Sequence, residues 1–392
     1  MTSPESYREQ IEQLLSSHVH RTSITIPIAQ ALGHVTANEI TAEFDSPRFN
    51  NSQMDGYALP DAAGGTFEVA ATIAAGAIPA PLEGKAAPIM TGAAVPADAV
   101  AIVPVEHTNP AEFLHPGETI DVPAVDAGQF IRRQGSDIAA GSVVIPAGTT
   151  LTGAGIATLA SQSITEVDVI RPARILICTG GAEISVDNAD NKATIPDANA
   201  PMLRAIASQA NIEVIGHVRT DDDPQALAAS LSDAITQHQP DAVVTSGGIS
   251  AGKFEVVRQV LESADPNAWF NHVDQQPGGP QGMAVFKGIP FICLPGNPVS
   301  TLVSFRLFVA PILGHAPEPT FAVLAEPATG IAHREQFRRG RISHQPDGTT
   351  IAHIIGGPGS HLISQAVEAT HLIRIPVDAT LSAGDAVKIY EL

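Results

Sequence analysis

Asp241-Ala-Val-Val-Thr-Ser-Gly-Gly-Ile-Ser-Ala-Gly252 and Phe291-Ile-Cys-Leu-Pro-Gly-Asn-Pro-Val-Ser300 are the two stretches on which the reading of the fold turns. In each, a short apolar or β-branched run stops at glycine and a helical pattern begins a few residues later. That is how a buried parallel strand feeds a helix. Backbone N–H groups at such a turn have no intrahelical acceptor, so the turn makes an anion cradle. Asn297 is a favoured N-cap residue and Pro298 suits the first helical position. One such turn alone reads first as an ordinary strand-to-helix connection. Two in one sheet, with Pro277-Gly-Gly-Pro280 between them, place donors from two loops at the carboxyl edge of the sheet, where open α/β folds hold ligands.

Working outward, 392 residues exceed one ordinary core and imply several domains. With 44% hydrophobic and 16% charged residues, the chain reads as folded rather than disordered. A formal net charge of −20 argues against nucleic acid or an anionic membrane as a general partner. An anionic ligand must therefore be held locally, by backbone donors or a few arginines. Cys178 and Cys293 each sit in an apolar strand pattern and read as small core residues, not as metal ligands or a disulfide. No apolar run is long enough for a transmembrane segment, and no basic region precedes an apolar stretch at the N-terminus, which predicts a cytoplasmic protein.

In chain order, Ser3-Pro-Glu starts a helix with Tyr7, Ile11, Leu14 and Leu15 on one face. Ile24, Ile26 and Ile28 then alternate as in a strand. They lead to the polar loop Asp45-Ser-Pro-Arg-Phe-Asn-Asn-Ser-Gln-Met-Asp-Gly-Tyr-Ala58, rich in turn formers. Short strands at residues 67–73, 99–105 and 119–122 predict a small β domain, followed by a helix within residues 151–161. From Arg174 strands and helices alternate through a helix at residues 298–313, predicting a mostly parallel sheet covered on both faces. Within this region Asp223-Pro224 and Asn199-Ala-Pro read as capped helix starts. After Pro317 short strands return, predicting a C-terminal β domain.

Five motifs in order, Asn51-Ser-Gln-Met-Asp-Gly-Tyr-Ala, Ile89-Met-Thr-Gly-Ala, Ile131-Arg-Arg-Gln-Gly-Ser-Asp-Ile, Thr245-Ser-Gly-Gly-Ile-Ser and Leu294-Pro-Gly-Asn-Pro-Val-Ser, make the chain resemble the molybdopterin molybdenumtransferases, the MoeA and gephyrin E-domain family. The resemblance runs over essentially the whole chain. It implies a multidomain α/β protein with four parts. These are an extended segment (residues 1–44 and 138–172), an inserted β domain (45–137), a doubly wound molybdopterin-binding α/β domain (173–316) and a C-terminal β domain (317–392). It further implies a head-to-tail homodimer whose cleft is completed by the partner's inserted domain. The implied reaction hydrolyses adenylylated molybdopterin (molybdopterin-AMP), places molybdate on the dithiolene, releases AMP and uses a divalent cation such as Mg.

By resemblance, the catalytic set is Asp55, Thr91, Asp137, Glu183, Asp222, Asp223 and Glu255, the last standing where the family usually has Asp. Glu183, Asp222 and Asp223 would hold the metal. Ser246, Gly247, Gly248, Ser250, Pro277, Pro280, Pro295, Gly296 and Asn297 would line the pterin and phosphate side, with Arg339 and Ser360 at positions associated with molybdate. Plainer readings stand beside these, with Asp223 as the cap before Pro224 and Arg339 as a solvated strand residue. The chain also departs from the family. Gln276-Pro-Gly-Gly279-Pro280 replaces Lys-Pro-Gly-Lys-Pro, and Gly180-Gly-Ala-Glu183 replaces Thr-Gly-Asp-Glu. Lys253 is placed to restore one charge. Three functions follow: the transferase, a gephyrin-like scaffold binding a linear peptide of a membrane-receptor tail or of the tubulin-like division protein FtsZ, and a non-catalytic molybdopterin-binding protein. Fold alone does not choose among them.

Overall fold

A computed structural model describes residues 2–181, 184–185, 194–220, 223–249 and 255–392. The chain divides into two compact units, Met1–Thr22 with Arg171–Leu392, and Ser23–Ile170.

The first unit is built on a six-stranded sheet in the order Ile212–Thr220, Ala173–Gly180, Ala242–Ser246, Ile289–Leu294, Pro280–Phe286, Trp269–His272. The first four strands run parallel, and the last two pairings are antiparallel, so only Pro280–Phe286 runs against the others. Because successive side chains of a strand point to opposite faces, the continuous apolar runs split between two cores. Ile175, Ile177, Val244, Ile292 and Leu294 pack on one side, with Tyr7, Ile11, Leu203, Val303 and Phe308. Leu176, Cys178, Val243, Phe291 and Cys293 pack on the other, with Leu227, Leu231, Val257 and Leu261. Helices therefore cover both faces, as the unbroken hydrophobic strands require. Both cysteines are free and buried, and burial pushes their thiols up to about 12.

The N-terminal helix Pro4–His18 carries Tyr7, Ile11 and Leu15 into the first core, capped by Ser3, whose hydroxyl accepts from the Ser6 N–H. Tyr7 stacks on Trp269, meets Phe308 edge-on and donates to the Gly282 carbonyl at 2.9 Å. The helix expected over residues 298–313 is two, Pro298–Phe308 and Ala310–Leu313. Pro311 has no N–H to continue the ladder, and Val309 at φ −111° marks the break.

The C-terminal strands close on themselves. Glu335–His344 pairs with Thr350–Ile354 on one side and His371–Ile375 on the other, and Thr320–Leu324 and Ala386–Glu391 complete the circuit. Leu324, Ala352, Ile373, Ile375, Val387 and Ile389 fill it. Gln275–Gln276, from the α/β region, pairs in parallel with Glu335 and Gln336 at its rim.

In the second unit Ser23–Pro27 pairs antiparallel with Glu166–Ile170 over a small core containing Leu151 and Leu159, the latter from the helix Gly153–Ser161. Gly56–Leu59 lies between Ala87–Ile89 and Ala101–Pro104. Ala58, Ile89 and Ile102 face one core, and Tyr57, Leu59 and Val103 the other. The strand expected at residues 67–73 is shorter, Gly65–Glu68. Among the described residues no helix is long and apolar enough to cross a membrane.

Candidate active-site cleft

A cleft of about 700 Å³ opens at the carboxyl ends of the parallel strands, lined by Gly180, Asp197, Asn199, Gly248, Glu255 and Gly296 among others. That volume suits a small organic ligand. The two glycine turns form its floor by direct contact. Gly247 (φ +98°) and Gly296 approach so closely that a Cβ on Gly296 would lie 3.2 Å from the Gly247 Cα. Gly248 sits at φ +70°, and a Cβ there would fall 2.8 Å from Val257 Cγ2. Glycine is thus required by both backbone angle and space. Among the described residues, the N–H groups of Gly248, Gly296 and Asn297 have no hydrogen-bond acceptor. Gly296 and Asn297 lead into the helix Pro298–Phe308, where the helix dipole favours an anion, and the Gly248 carbonyl accepts the Arg258 N–H at 3.0 Å in the first turn of Val256–Ala264.

Side chains behind the turns hold them in place. Thr301 donates to the Pro295 carbonyl at 2.7 Å, so its oxygen accepts from Ser246 at 2.9 Å. The Ser246 hydroxyl therefore faces the fold, bridging the turns from beneath. Asn297 stands at the N-cap position, but its side chain makes no capping bond, contrary to the expectation from its residue type. Pro280, Pro295 and Glu255 line the cleft, and Glu255 likewise makes no capping bond. Pro277, expected on the same side, is not among the cleft's lining residues; it is buried, and its carbonyl accepts from Gln275 Nε2 at 3.1 Å.

The barrel reaches the second turn through one loop. The Ser360 carbonyl accepts the Val299 N–H at 3.1 Å. Arg339 is only 3% exposed, which excludes the solvated-strand reading. Its guanidinium donates to the carbonyls of Gly357, Gly359 and Leu362, so it organises the loop that carries Ser360. Burial lowers its pKa, and the neighbouring Arg338 adds to that.

Asp223 caps the helix Pro224–His238, with Oδ1 accepting from the Gln225 and Ala226 N–H groups at 2.8 and 3.3 Å. Glu183, Asp222, Ser250 and Lys253 lie outside the described residues. Among the described residues no three His, Cys, Asp or Glu side chains converge as a metal site. Of the three expected cation ligands only Asp223 is among the described residues, and its Oδ1 is engaged as a cap.

The second unit holds Asp55, Thr91 and Asp137. Ser52 Oγ accepts the Met54 N–H at 3.2 Å and donates to the Met54 carbonyl, a local turn that presents the next residue. Gly56 follows because a Cβ there would overlap the Val103 carbonyl. The exposed Asp55 Oδ1 accepts from the Thr91 N–H at 2.6 Å and its hydroxyl at 2.7 Å. These bonds, the hydroxyl foremost, hold the Asp55 pKa below the usual carboxylate value. The exposed carboxylate of Asp137 bonds to neither residue. Its N–H donates to the Ser46 carbonyl at 2.9 Å.

Sequence reasoning missed Thr179, Asp197 and His217. Asp197, and not Asn199, caps the helix Asn199–Gln209. Its Oδ1 accepts from the Asn199 and Ala200 N–H groups, each at 3.0 Å. Asn199 Nδ2 instead reaches the Gly296 carbonyl at 2.7 Å. The available signal was Asp two residues before a helical pattern, a cap signature.

Three family models match consecutive parts of the chain: "MoeA N-terminal region (domain I and II)" over residues 3–163, "Probable molybdopterin binding domain" over 171–315 and "MoeA C-terminal region (domain IV)" over 322–392. Molybdopterin molybdenumtransferase 2 of Mycobacterium tuberculosis is 36% identical over 397 residues, covering 94% of this chain and 95% of its own. Molybdopterin molybdenumtransferase of Staphylococcus epidermidis is 33% identical, covering 79% and 75%. Among solved structures, a molybdopterin biosynthesis MoeA protein from Pyrococcus horikoshii superposes with TM-score 0.77 at 25% identity over 98% of both chains. A second structure of a MoeA protein from that organism gives 0.81 at 24% identity over 100% of both, a likeness of fold. The identities span nearly the full length, and the α/β and C-terminal β architecture agrees, so the chain belongs to the molybdopterin molybdenumtransferase family.

Proposed function

We propose that the protein acts in molybdenum cofactor biosynthesis, inserting molybdate into adenylylated molybdopterin with release of AMP. The observation that carries this is the pair of apposed glycine turns, whose Gly248, Gly296 and Asn297 line one cleft with N–H groups that have no acceptor among the described residues. They suit the phosphate groups of the substrate, which a protein of net charge −20 must hold by local donors. The relatives' names favour the transferase over the scaffold and over a non-catalytic pterin carrier.

In this reading water cleaves the phosphoanhydride and AMP leaves with one phosphate, while the two dithiolene thiols replace one oxygen of molybdate, which departs as water with the two thiol protons. The backbone donors neutralise the phosphate oxygens. Asp55, kept ionised by Thr91, orients water or a proton-bearing oxygen, with Asp137 and Glu255 as further carboxylates. Arg339 and the Ser360 loop bound the molybdate end. Glu183, Asp222 and Asp223 remain the proposed holders of a divalent cation such as Mg, which would offset phosphate charge when bound. In the proposed cytoplasmic homodimer, the Asp55–Thr91 pair of one copy serves the cleft of the other.

The test is complementation of a molybdenumtransferase-deficient strain, read as nitrate reductase activity. Restored reductase activity supports the reading. Failure to restore it, from a chain that is soluble and folded in the same cells, sinks it.

A further inference from the structure

Behind the cleft, three side chains from separate elements form a short chain of hydrogen bonds. Thr179, 1% exposed, is the penultimate residue of the interior strand Ala173–Gly180. Its Oγ1 donates to Asp197 Oδ2 at 2.6 Å and lies 2.7 Å from Nε2 of His217 on the neighbouring edge strand. The hydroxyl has one proton and the carboxylate can only accept, so His217 is the donor to Thr179 through Nε2–H. Asp197 spends its other oxygen on the Asn199 and Ala200 N–H groups, and Asn199 Nδ2 then grips the Gly296 carbonyl. His217, Thr179, Asp197 and Asn199 thus connect the edge strand, the interior strand and a helix N-terminus to the second glycine turn.

We propose that Thr179, steadied by His217, is a positioning residue for substrate affinity: through Asp197 and Asn199 it fixes the Gly296–Asn297 turn whose N–H groups hold the substrate phosphate. This deepens the transferase reading and rests on it. Burial lowers the His217 pKa, Arg204 and Arg219 add to that, and Asp197 opposes it; a neutral ring keeps its one proton on the nitrogen facing Thr179. Because the phosphate is anionic both in the bound substrate and in the transition state, loosening this turn weakens both alike and raises KM without lowering kcat.

Thr179→Val keeps the shape and removes the hydroxyl; Thr179→Ser restores it. Binding of molybdopterin is followed by pterin fluorescence, turnover by AMP release, and the helix N-terminus by hydrogen exchange across residues 199–203. The expected result for Thr179→Val is about a tenfold rise in Kd and KM, kcat within about threefold of the parent, and faster exchange at residues 199–203, all reversed by Thr179→Ser. His217→Phe, which leaves the Thr179–Asp197 bond in place, moves each quantity the same way by a smaller factor, and it decides the matter if Thr179→Val does not fold. Parental affinity and exchange in the valine variant, or a loss confined to kcat, overturn the proposal. If the parent binds no molybdopterin, the transferase reading fails, while unchanged exchange in Thr179→Val separately refutes the link from Thr179 to the helix.

Discussion

The glycine cleft and the Asp55–Thr91 loop both present polar groups to solvent, yet they are built on opposite plans. In the proposed cleft site the groups assigned to the ligand are main-chain N–H donors, and side chains such as Thr301 and Ser246 work from behind. In the loop the group proposed to meet the ligand is a side-chain carboxylate, and the backbone N–H of Thr91 does the supporting. Main-chain amides do not titrate and cannot be substituted away, so the proposed anion site, made of them, does not depend on lysine at positions 276 and 279. A carboxylate held by two hydrogen bonds is instead sensitive both to mutation and to pH.

The largest expected effect tests the backbone plan. Gly248→Ala forces a side chain into a left-handed backbone angle and against Val257. The displaced N–H should lower insertion activity by about a hundredfold, since an ångström of misplacement is worth that much. The strain, about 1–3 kcal/mol, should lower Tm by a few degrees by circular dichroism. Near-parental activity at unchanged Tm would show that the turn does not position the ligand.

Asp55→Ala tests the side-chain plan. Activity should fall between about tenfold and a hundredfold while Tm changes only slightly, because the exposed carboxylate supports no packing and loses only its bonds to Thr91. In the proposed dimer, co-expressing Asp55→Ala with Gly248→Ala should recover about a quarter of parental activity, since half the dimers are mixed and one of their two sites is intact. Recovery of none would argue that each copy completes its own cleft.

A finer contrast lies in pH. The folded-state pKa of Asp55 is depressed, so the stabilisation it brings is present above the ordinary carboxylate value and is lost as pH falls through the lowered one. Removing the hydroxyl in Thr91→Val should let that pKa rise and shift the acid limb of the pH–rate profile to higher pH, with activity near pH 8 changed little. An unmoved acid limb would detach Asp55 from the rate.

The smallest effect is expected from restoring lysine. Gln276 Oε1 accepts from Gln336 Nε2 at 2.7 Å, and Gln336 Oε1 is already buried without a partner among the described residues. Gln276→Lys brings an ammonium near the anion site but strands Gln336, so molybdate use should improve no more than about twofold to threefold. Gly279→Lys is not hindered by a positive φ; a Cβ there would lie 3.0 Å from the His272 ring. A tenfold gain from Gln276→Lys would mean the cleft is limited by charge after all.

What was legible in the sequence follows the same division. The glycine turns, the strands before them and the two-faced sheet could be read because backbone constraints select residue types directly: glycine where no Cβ fits, β-branched residues where both faces are buried. Side-chain roles were harder. Asn297 has the residue type of a cap, yet it is the Ser360 carbonyl that accepts a first-turn N–H of that helix, from Val299. Asn199 looked like a cap, but Asp197 two residues earlier took that role, freeing the Asn199 amide to cross to Gly296. Arg339 is exposed in an isolated strand pattern and buried in the protein, because the carbonyls it serves come from a loop some twenty residues on. Such partners are set by tertiary proximity, which local pattern does not encode.

Gln275–Gln276, a two-residue loan from the α/β region to the rim of the barrel, has a mechanical meaning. Arg374 of the barrel also grips Glu335 in its own sheet and Glu5 on the N-terminal helix, so the seam is stitched by main-chain pairing on one strand and by ionic contacts on the next. A hinge at this seam would have to break ladder bonds before it could swing. An α/β fragment cut at residue 316 would leave the Gln275–Gln276 backbone groups unpaired, and the barrel released with it would bare the start of Glu335–His344, the kind of open edge that recruits other chains. The seam therefore behaves as a weld, and the two parts should unfold together as a single cooperative body.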